Sequence, residues 1–168
     1  LTRNSRDFGK IAAALSAHPQ TPRDVYTQDT RRRGLSEHDR DWKNYTVPNE
    51  AQDVIDFMTM TELSDAGVIG TSRGGLITMV LAAIQPGRIG AAVLNDIGPV
   101  VETQGLMRIA GYVGRTPTPK TWGDAARAVL QLAKRDFPKL TEADAEAFAR
   151  QLFNEKNGRP VPGYDAKL

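Results

Sequence analysis

The sequence predicts an α/β fold with a mostly parallel sheet and flanking helices, on three observations. Short β-type runs alternate with longer helical ones, the pattern of strands joined by crossover helices. One of those runs, Ala66 to Gly70, has the composition of a strand buried on both faces, and Ala91 to Asn95 reads as a further short strand. Between them lies a strongly apolar helical stretch, Gly74 to Ile84.

Along the chain, Phe8, Ile11, Ala12 and Leu15 fall on one helical face, ended by His18-Pro19. Val25-Tyr26-Thr27-Gln28 is rich in β-formers and reads as a short strand closing on Asp29. A polar loop runs to about Pro48, followed by an amphipathic helix to Met60 through Ala51, Val54, Ile55 and Met58. The strand 66–70, the helix 74–84 and the strand 91–95 come next, and the last ends in Asp96-Ile97-Gly98-Pro99. After Pro99 the texture changes. Residues 103–114, 121–135 and 141–155 read as three helices with no strand between them, and Thr121/Asp124 and Thr141/Asp144 have capping-box spacing. The tail 157–164 reads as loop. The apolar helix faces (Leu106, Ile109, Val113; Ala125, Val129, Leu132; Phe148, Leu152) read as core, with Met107, Tyr112 and Trp122 as pocket-lining alternatives. The expected organisation is a β/α body over 1–99 and a helical cap over 100–168.

The 168 residues suffice for one sizeable core, and 40% hydrophobic with 25% charged residues is ordinary globular usage. With a formal net charge of +2 and interspersed signs, no basic stripe marks a nucleic-acid partner. The one basic run, Arg31-Arg32-Arg33, is expected to be solvated. Zero cysteines exclude disulfides, thiolate metal sites and a Cys nucleophile. No apolar run approaches the roughly 18–20 residues of a membrane span, so no membrane partner is expected. There is no H-E-x-x-H, phosphate loop or carboxylate cluster with ligand spacing, and no metal or cofactor is expected. A cytoplasmic location is the default expectation; the start at Leu1 rather than Met leaves the compartment open, and the oligomeric state is not legible.

The chemistry concentrates at Gly70-Thr71-Ser72-Arg73-Gly74-Gly75. This fits G-x-S-x-G, in which a Ser sits on a strained strand-to-helix turn. Glycines such as Gly70 and Gly74 are expected where the backbone doubles back and neighbouring chains crowd it. The helix that follows presents free N–H groups and a favourable dipole to developing negative charge. With 15 Gly and 5 Ser in 168 residues, chance supplies only about 0.04 such matches, before the strand and helix on either side are required. A dinucleotide fingerprint, G-x-G-x-x-G, is absent.

On this motif the sequence resembles the α/β-hydrolases, in particular the cap-bearing esterase, lactonase and haloalkane-dehalogenase-like branch. The segment from Asp29 to Ser36 looks like the family's D-x-R-G-x-G-x-S, residues 45–57 like the helix after it, and Val93 to Pro99 like the strand and turn leading into the cap. The opening residues from Leu1 to Phe8 look like those just after the family's H-G or P-G dipeptide. The resemblance implies Ser72 as nucleophile, with the backbone N–H groups of Arg73 and Leu1 as the oxyanion hole. It also offers Asp96 as an acid, against the plainer role of shaping its turn. The Arg73 guanidinium is a further candidate, for a carboxylate on the substrate. Arg32 stands where the family usually has Gly, so either that loop is rearranged or Arg32 is strained.

The family's chain order is Ser, then acid, then His, yet the only histidines, His18 and His38, both precede Ser72. His18 reads as a surface cap and His38 as a loop residue away from the family's base position. The expectation is therefore an incomplete chain, with the first strands of the sheet before Leu1 and its last strands, bearing the catalytic His and the acid, beyond Leu168. The activity this implies is hydrolysis of a small ester or lactone through an acyl-serine at Ser72. The alternatives are amide or carbon–carbon bond hydrolysis, and a non-catalytic ligand-binding protein on the same fold. Dehalogenation is disfavoured, because it uses Asp where this chain has Ser72.

Overall fold

The computed structural model describes residues 2–114, 118–134 and 137–165. Two compact units emerge: Asp39–Val113 forms the first, and Thr2–His38 with Gly114–Lys167 the second. This division does not coincide with a boundary at residue 99.

The first unit is a β-α-β layer with a helix on its face. Helix α2 (Val47–Met60) starts where the Thr46 hydroxyl accepts the Asn49 N–H at 3.3 Å and Pro48 pre-sets the first turn. It buries Ala51, Ile55 and Met58, one stripe at helical spacing. It stops at Glu62, whose φ of 55° turns the chain left-handed while the Leu63 N–H returns to the Met58 carbonyl at 2.8 Å. Strand β1 (Ala66–Thr71) leads into α3 (Arg73–Ile84), and β2 (Ile89–Asn95) returns parallel to β1, with Val68 opposite Ala92 and Thr71 opposite Asn95. Ile55, Met58 and Leu81 form the core, flanked by Val54, Leu63, Ala66, Val68 and Ile89. Helix α4 (Thr103–Tyr112) closes the unit; Leu106, read as core, and Met107, the pocket-lining alternative, are 51% and 70% exposed.

The second unit holds α1 (Gly9–Ser16), α5 (Trp122–Ala133), α6 (Glu142–Leu152) and an antiparallel hairpin of β3 (Phe153–Lys156) and β4 (Arg159–Pro162). Both capping boxes form: Thr121 with Asp124, and Thr141 with Asp144. Ala125, Val129, Ala145 and Ala149 make the core between α5 and α6, joined by Trp122, Leu130, Phe148 and Leu152. Small residues at the contact let the two backbones approach closely. Leu132, read as core, is 75% exposed at the last turn of α5.

Three expectations are corrected here. The helix read over 141–155 ends at Leu152, and 153–162 is the hairpin, not helix and loop. Its turn is Asn157-Gly158 at φ 52° and 73°, both left-handed, as a two-residue hairpin turn requires. Val25 to Gln28 is not a strand: among the described residues no strand lies beside it to complete a ladder, and it runs as irregular chain. The arginine run is not solvated, since Arg32 and Arg33 are 1% and 4% exposed. The Arg32 guanidinium pairs with the Asp165 carboxylate, and Arg33 donates to Thr30 Oγ1 at 2.6 Å. Of the two readings left open for Arg32, the strained backbone is the one observed: its φ is 70°. Gly34, at φ 57°, does need to be glycine, because a Cβ there would overlap the Asp29 carboxylate that accepts the Ser5 and Leu35 N–H groups.

Candidate active site

Ser72 stands between the carboxyl end of β1 and the first turn of α3, where open α/β sheets place their ligands. Its backbone has φ 51° and ψ −113°, a conformation that L-residues rarely adopt and that costs of order 1–3 kcal/mol. The surroundings impose it. The Ser72 N–H is held by the Asn95 carbonyl at 2.9 Å, and the Ser72 carbonyl accepts from Gly75 and Leu76 at 2.9 and 3.2 Å as the helix begins. The N–H groups of Arg73 and Gly74, at the head of α3, donate to no carbonyl or side chain among the described residues. They add to the positive end of the helix dipole beside the half-buried Ser72.

The crowding expected of the glycines falls unevenly. A Cβ on Gly70 would meet the Gly74 carbonyl oxygen at 2.4 Å and Thr78 Oγ1 at 2.5 Å, and one on Gly75 would meet Ile97 Cγ2 at 2.2 Å. On Gly74 it would meet nothing within 4 Å. Gly70 lets the helix sit down on the strand, and Gly75 lets the turn after β2 sit down on the helix.

Arg73 is not a free cation awaiting a substrate carboxylate, which corrects that expectation. Its Nε and Nη2 donate to the two oxygens of Glu50 at 2.8 and 3.0 Å, and Nη2 also donates to the Tyr45 carbonyl at 2.8 Å. Glu50 is 0% exposed. Sequence reasoning passed over Glu50. The signal was a carboxylate on the stripe of α2 that Ala51 continues, and it pointed inward because a partner waited there.

Asp96 leaves β2 level with Ser72, since Thr71 and Asn95 are paired, and its own φ of 54° makes it a turn residue. It is exposed and shares no hydrogen bond with Ser72. Leu1 lies outside the described residues, as does the Tyr112 side chain. Trp122 packs on the α5–α6 core under the Arg150 guanidinium, 4.5 Å from its ring centroid. His18 is exposed near the end of α1, its Nδ1 accepting the Thr21 N–H at 3.1 Å. His38 is 63% exposed, with Nδ1 3.2 Å from the Asp165 carboxylate. No cluster of three metal-ligating side chains occurs among the described residues, and no helix there is long and apolar enough to cross a membrane.

A parallel β-α-β layer whose first strand turns sharply into its helix belongs to the open α/β class, and the family comparison agrees with that fold. The chain belongs to the alpha/beta hydrolase fold family, whose model matches residues 1–166. Among individual proteins, it is 33% identical over 165 residues to a 3-hydroxybutyrate-oligomer hydrolase of Cupriavidus necator, covering 98% of this chain and 53% of that protein. It is 36% identical over 98 residues to ethanol acetyltransferase 1 of Kluyveromyces marxianus, covering 58% of this chain and 24% of that one. The crystal structure of an alpha/beta hydrolase from Novosphingobium aromaticivorans matches with a TM-score of 0.89 at 37% identity, over 99% of this chain and 57% of that one. A putative hydrolase from Rickettsia typhi matches at 0.82 and 26%, over 99% and 57%. The chain thus spans about half the length of its full-coverage relatives.

Proposed function

We propose that this chain carries the nucleophile of a serine hydrolase acting on small esters or lactones, with Ser72 as the attacking residue. The observation that carries the reading is the Ser72 backbone, strained at φ 51° at the head of α3 beside two unbonded N–H groups. Strain of this kind persists only where the surroundings over-determine it, and it lifts a hydroxyl clear of both strand and helix. Ser72 Oγ attacks the ester carbonyl while a His takes its proton, and the Arg73 N–H with a second backbone N–H, assigned to Leu1, holds the oxyanion. Each donor contributes about 2.7–4 kcal/mol in the transition state. The alkoxide leaves with the proton from the His, and water then hydrolyses the acyl-serine. The His is one that follows nucleophile and acid in chain order, a position that neither His18 nor His38 has. Asp96 is assigned to the turn as its first role, and residues 100–168 to a cap that selects the acyl or alcohol group.

Similarity to a 3-hydroxybutyrate-oligomer hydrolase supports esters of short hydroxy acids as the substrate class. Similarity to an ethanol acetyltransferase favours a second outcome for the same acyl-serine, transfer to an alcohol instead of water. The test is a fluorophosphonate probe with the adduct mapped by peptide mass spectrometry. One adduct on Ser72, lost in Ser72→Ala, supports the reading; a folded protein with no adduct on Ser72 removes it. Adding ethanol to the turnover of an acyl ester then separates the two outcomes by product.

A further inference from the structure

We propose that Glu50 is a positioning residue for the oxyanion donor, acting through the Arg73 side chain, an inference that rests on the Ser72 reading above. Three observations converge. Glu50 is 0% exposed, and a carboxylate fully removed from water is tolerated only when its charge and both oxygens are answered. Arg73 answers them in the two-pronged geometry that fixes a guanidinium in direction as well as in place, at 2.8 and 3.0 Å. The residue so fixed is the one immediately after Ser72, and its backbone N–H donates to nothing else among the described residues.

A buried ion pair is poor evidence for stability, because apolar side chains of similar volume serve as well or better. What this pair does that an apolar pair does not is set the orientation of one residue. The restraint extends further back. Arg73 Nη2 also donates to the Tyr45 carbonyl at 2.8 Å, and Tyr45 is tied down in turn. Its hydroxyl accepts the Asp39 N–H at 2.6 Å and donates to the Asp39 carbonyl at 3.1 Å. Residue 73 is thereby held from the side of α2 and its preceding loop, while Ser72 is held from the side of β2 through Asn95. The two restraints meet at one peptide bond, whose N–H is the proposed oxyanion donor. Because the guanidinium is drawn back onto Glu50, the group that residue 73 offers a substrate is its backbone N–H.

The test compares the wild-type protein with Glu50→Gln, Arg73→Met and the double variant Glu50→Met/Arg73→Met. Active sites are titrated by fluorophosphonate, and kcat and KM for p-nitrophenyl acetate are measured per titrated site. The double variant replaces the pair by apolar side chains and is expected to keep the wild-type melting midpoint within a few degrees, which separates orientation from folding. Positioning predicts that kcat per site falls at least tenfold in the double variant with KM within twofold. Glu50→Gln falls by a similar factor where it folds. Wild-type kcat per site in a folded double variant would overturn the proposal and leave the Ser72 reading standing. Absence of an adduct on wild-type Ser72 would remove both.

Discussion

Gly70→Ala is the substitution for which the geometry sets the largest effect. The added methyl carbon would lie 2.4 Å from the Gly74 carbonyl oxygen and 2.5 Å from Thr78 Oγ1, about 1 Å inside ordinary van der Waals contact. A backbone carbonyl in the first turn of α3 cannot rotate aside, so the turn must lift off β1 by about that distance. Overpacking of this kind costs about 1–3 kcal/mol. The Thr78 hydroxyl donates to that same Gly74 carbonyl at 2.8 Å, and losing that bond adds about 1 kcal/mol. The expected destabilisation is thus about 2–4 kcal/mol, read as a lower thermal midpoint. Ser72 rides on the displaced turn, and a shift near 1 Å is worth on the order of 100-fold in rate. The second-order rate of fluorophosphonate labelling, normalised to folded protein, should fall by that order. Gly74→Ala is the control, since no neighbour lies within 4 Å of its added carbon, and its midpoint should change by less than about 0.5 kcal/mol equivalent. Equal effects from the two glycines would refute the assignment of crowding to Gly70.

Other expectations follow from single contacts. Glu50→Ala strands the partly buried Arg73 guanidinium without its carboxylate and should cost about 3–5 kcal/mol in denaturant unfolding. Glu62→Gly, at φ 55°, relieves a left-handed side-chain clash at the end of α2 and should raise stability by about 1 kcal/mol by the same measurement. Thr121→Ala removes the cap of α5 and should cost about 1 kcal/mol, seen as an earlier helical melt by circular dichroism. The Thr121 hydroxyl and then Arg127 hold Asp124 below its ordinary 3.8, and the Thr141 hydroxyl does the same for Asp144. Because the folded state lowers these values, the stability they add is complete above pH 3.8 and is lost as pH falls from there through the depressed values. Asp124→Asn should flatten the acid limb of a stability-against-pH curve, and an unchanged limb would refute that linkage.

Residues 47–95 were legible because periodicity, caps and the elbow motif agree there, each local preference supporting the same β-α-β layer. The hairpin at 153–162 was missed because the apolar spacing of α6 runs on through Phe153, and the Asn157-Gly158 signal outweighs it only when read as a turn. Val25 to Gln28 failed for the opposite reason: β-branched and aromatic residues favour an extended chain, but a strand is a property of pairs. Glu50 was invisible to any pattern that sorts residues into apolar inside and charged outside, because its burial depends on an arginine 23 residues away. Arg32 shows the same limit, since a sequence position that suggests glycine is occupied by a side chain whose buried charge meets Asp165.

The bond from the Ser72 N–H to the Asn95 carbonyl ties the strain at the serine to the last residue of the neighbouring strand β2. Opening β2 releases that amide, and Ser72 can then relax to an ordinary backbone geometry, so the stored strain acts as a spring that favours opening at this point. Amide hydrogen exchange at Ser72 therefore reads out the docking of β2 directly. A chain in which β2 is poorly docked carries every atom of the Gly70–Gly75 turn and still lacks the strained Ser72 backbone on which the proposed function rests. The geometry of Ser72 is thus a property of the paired strands and not of the turn alone.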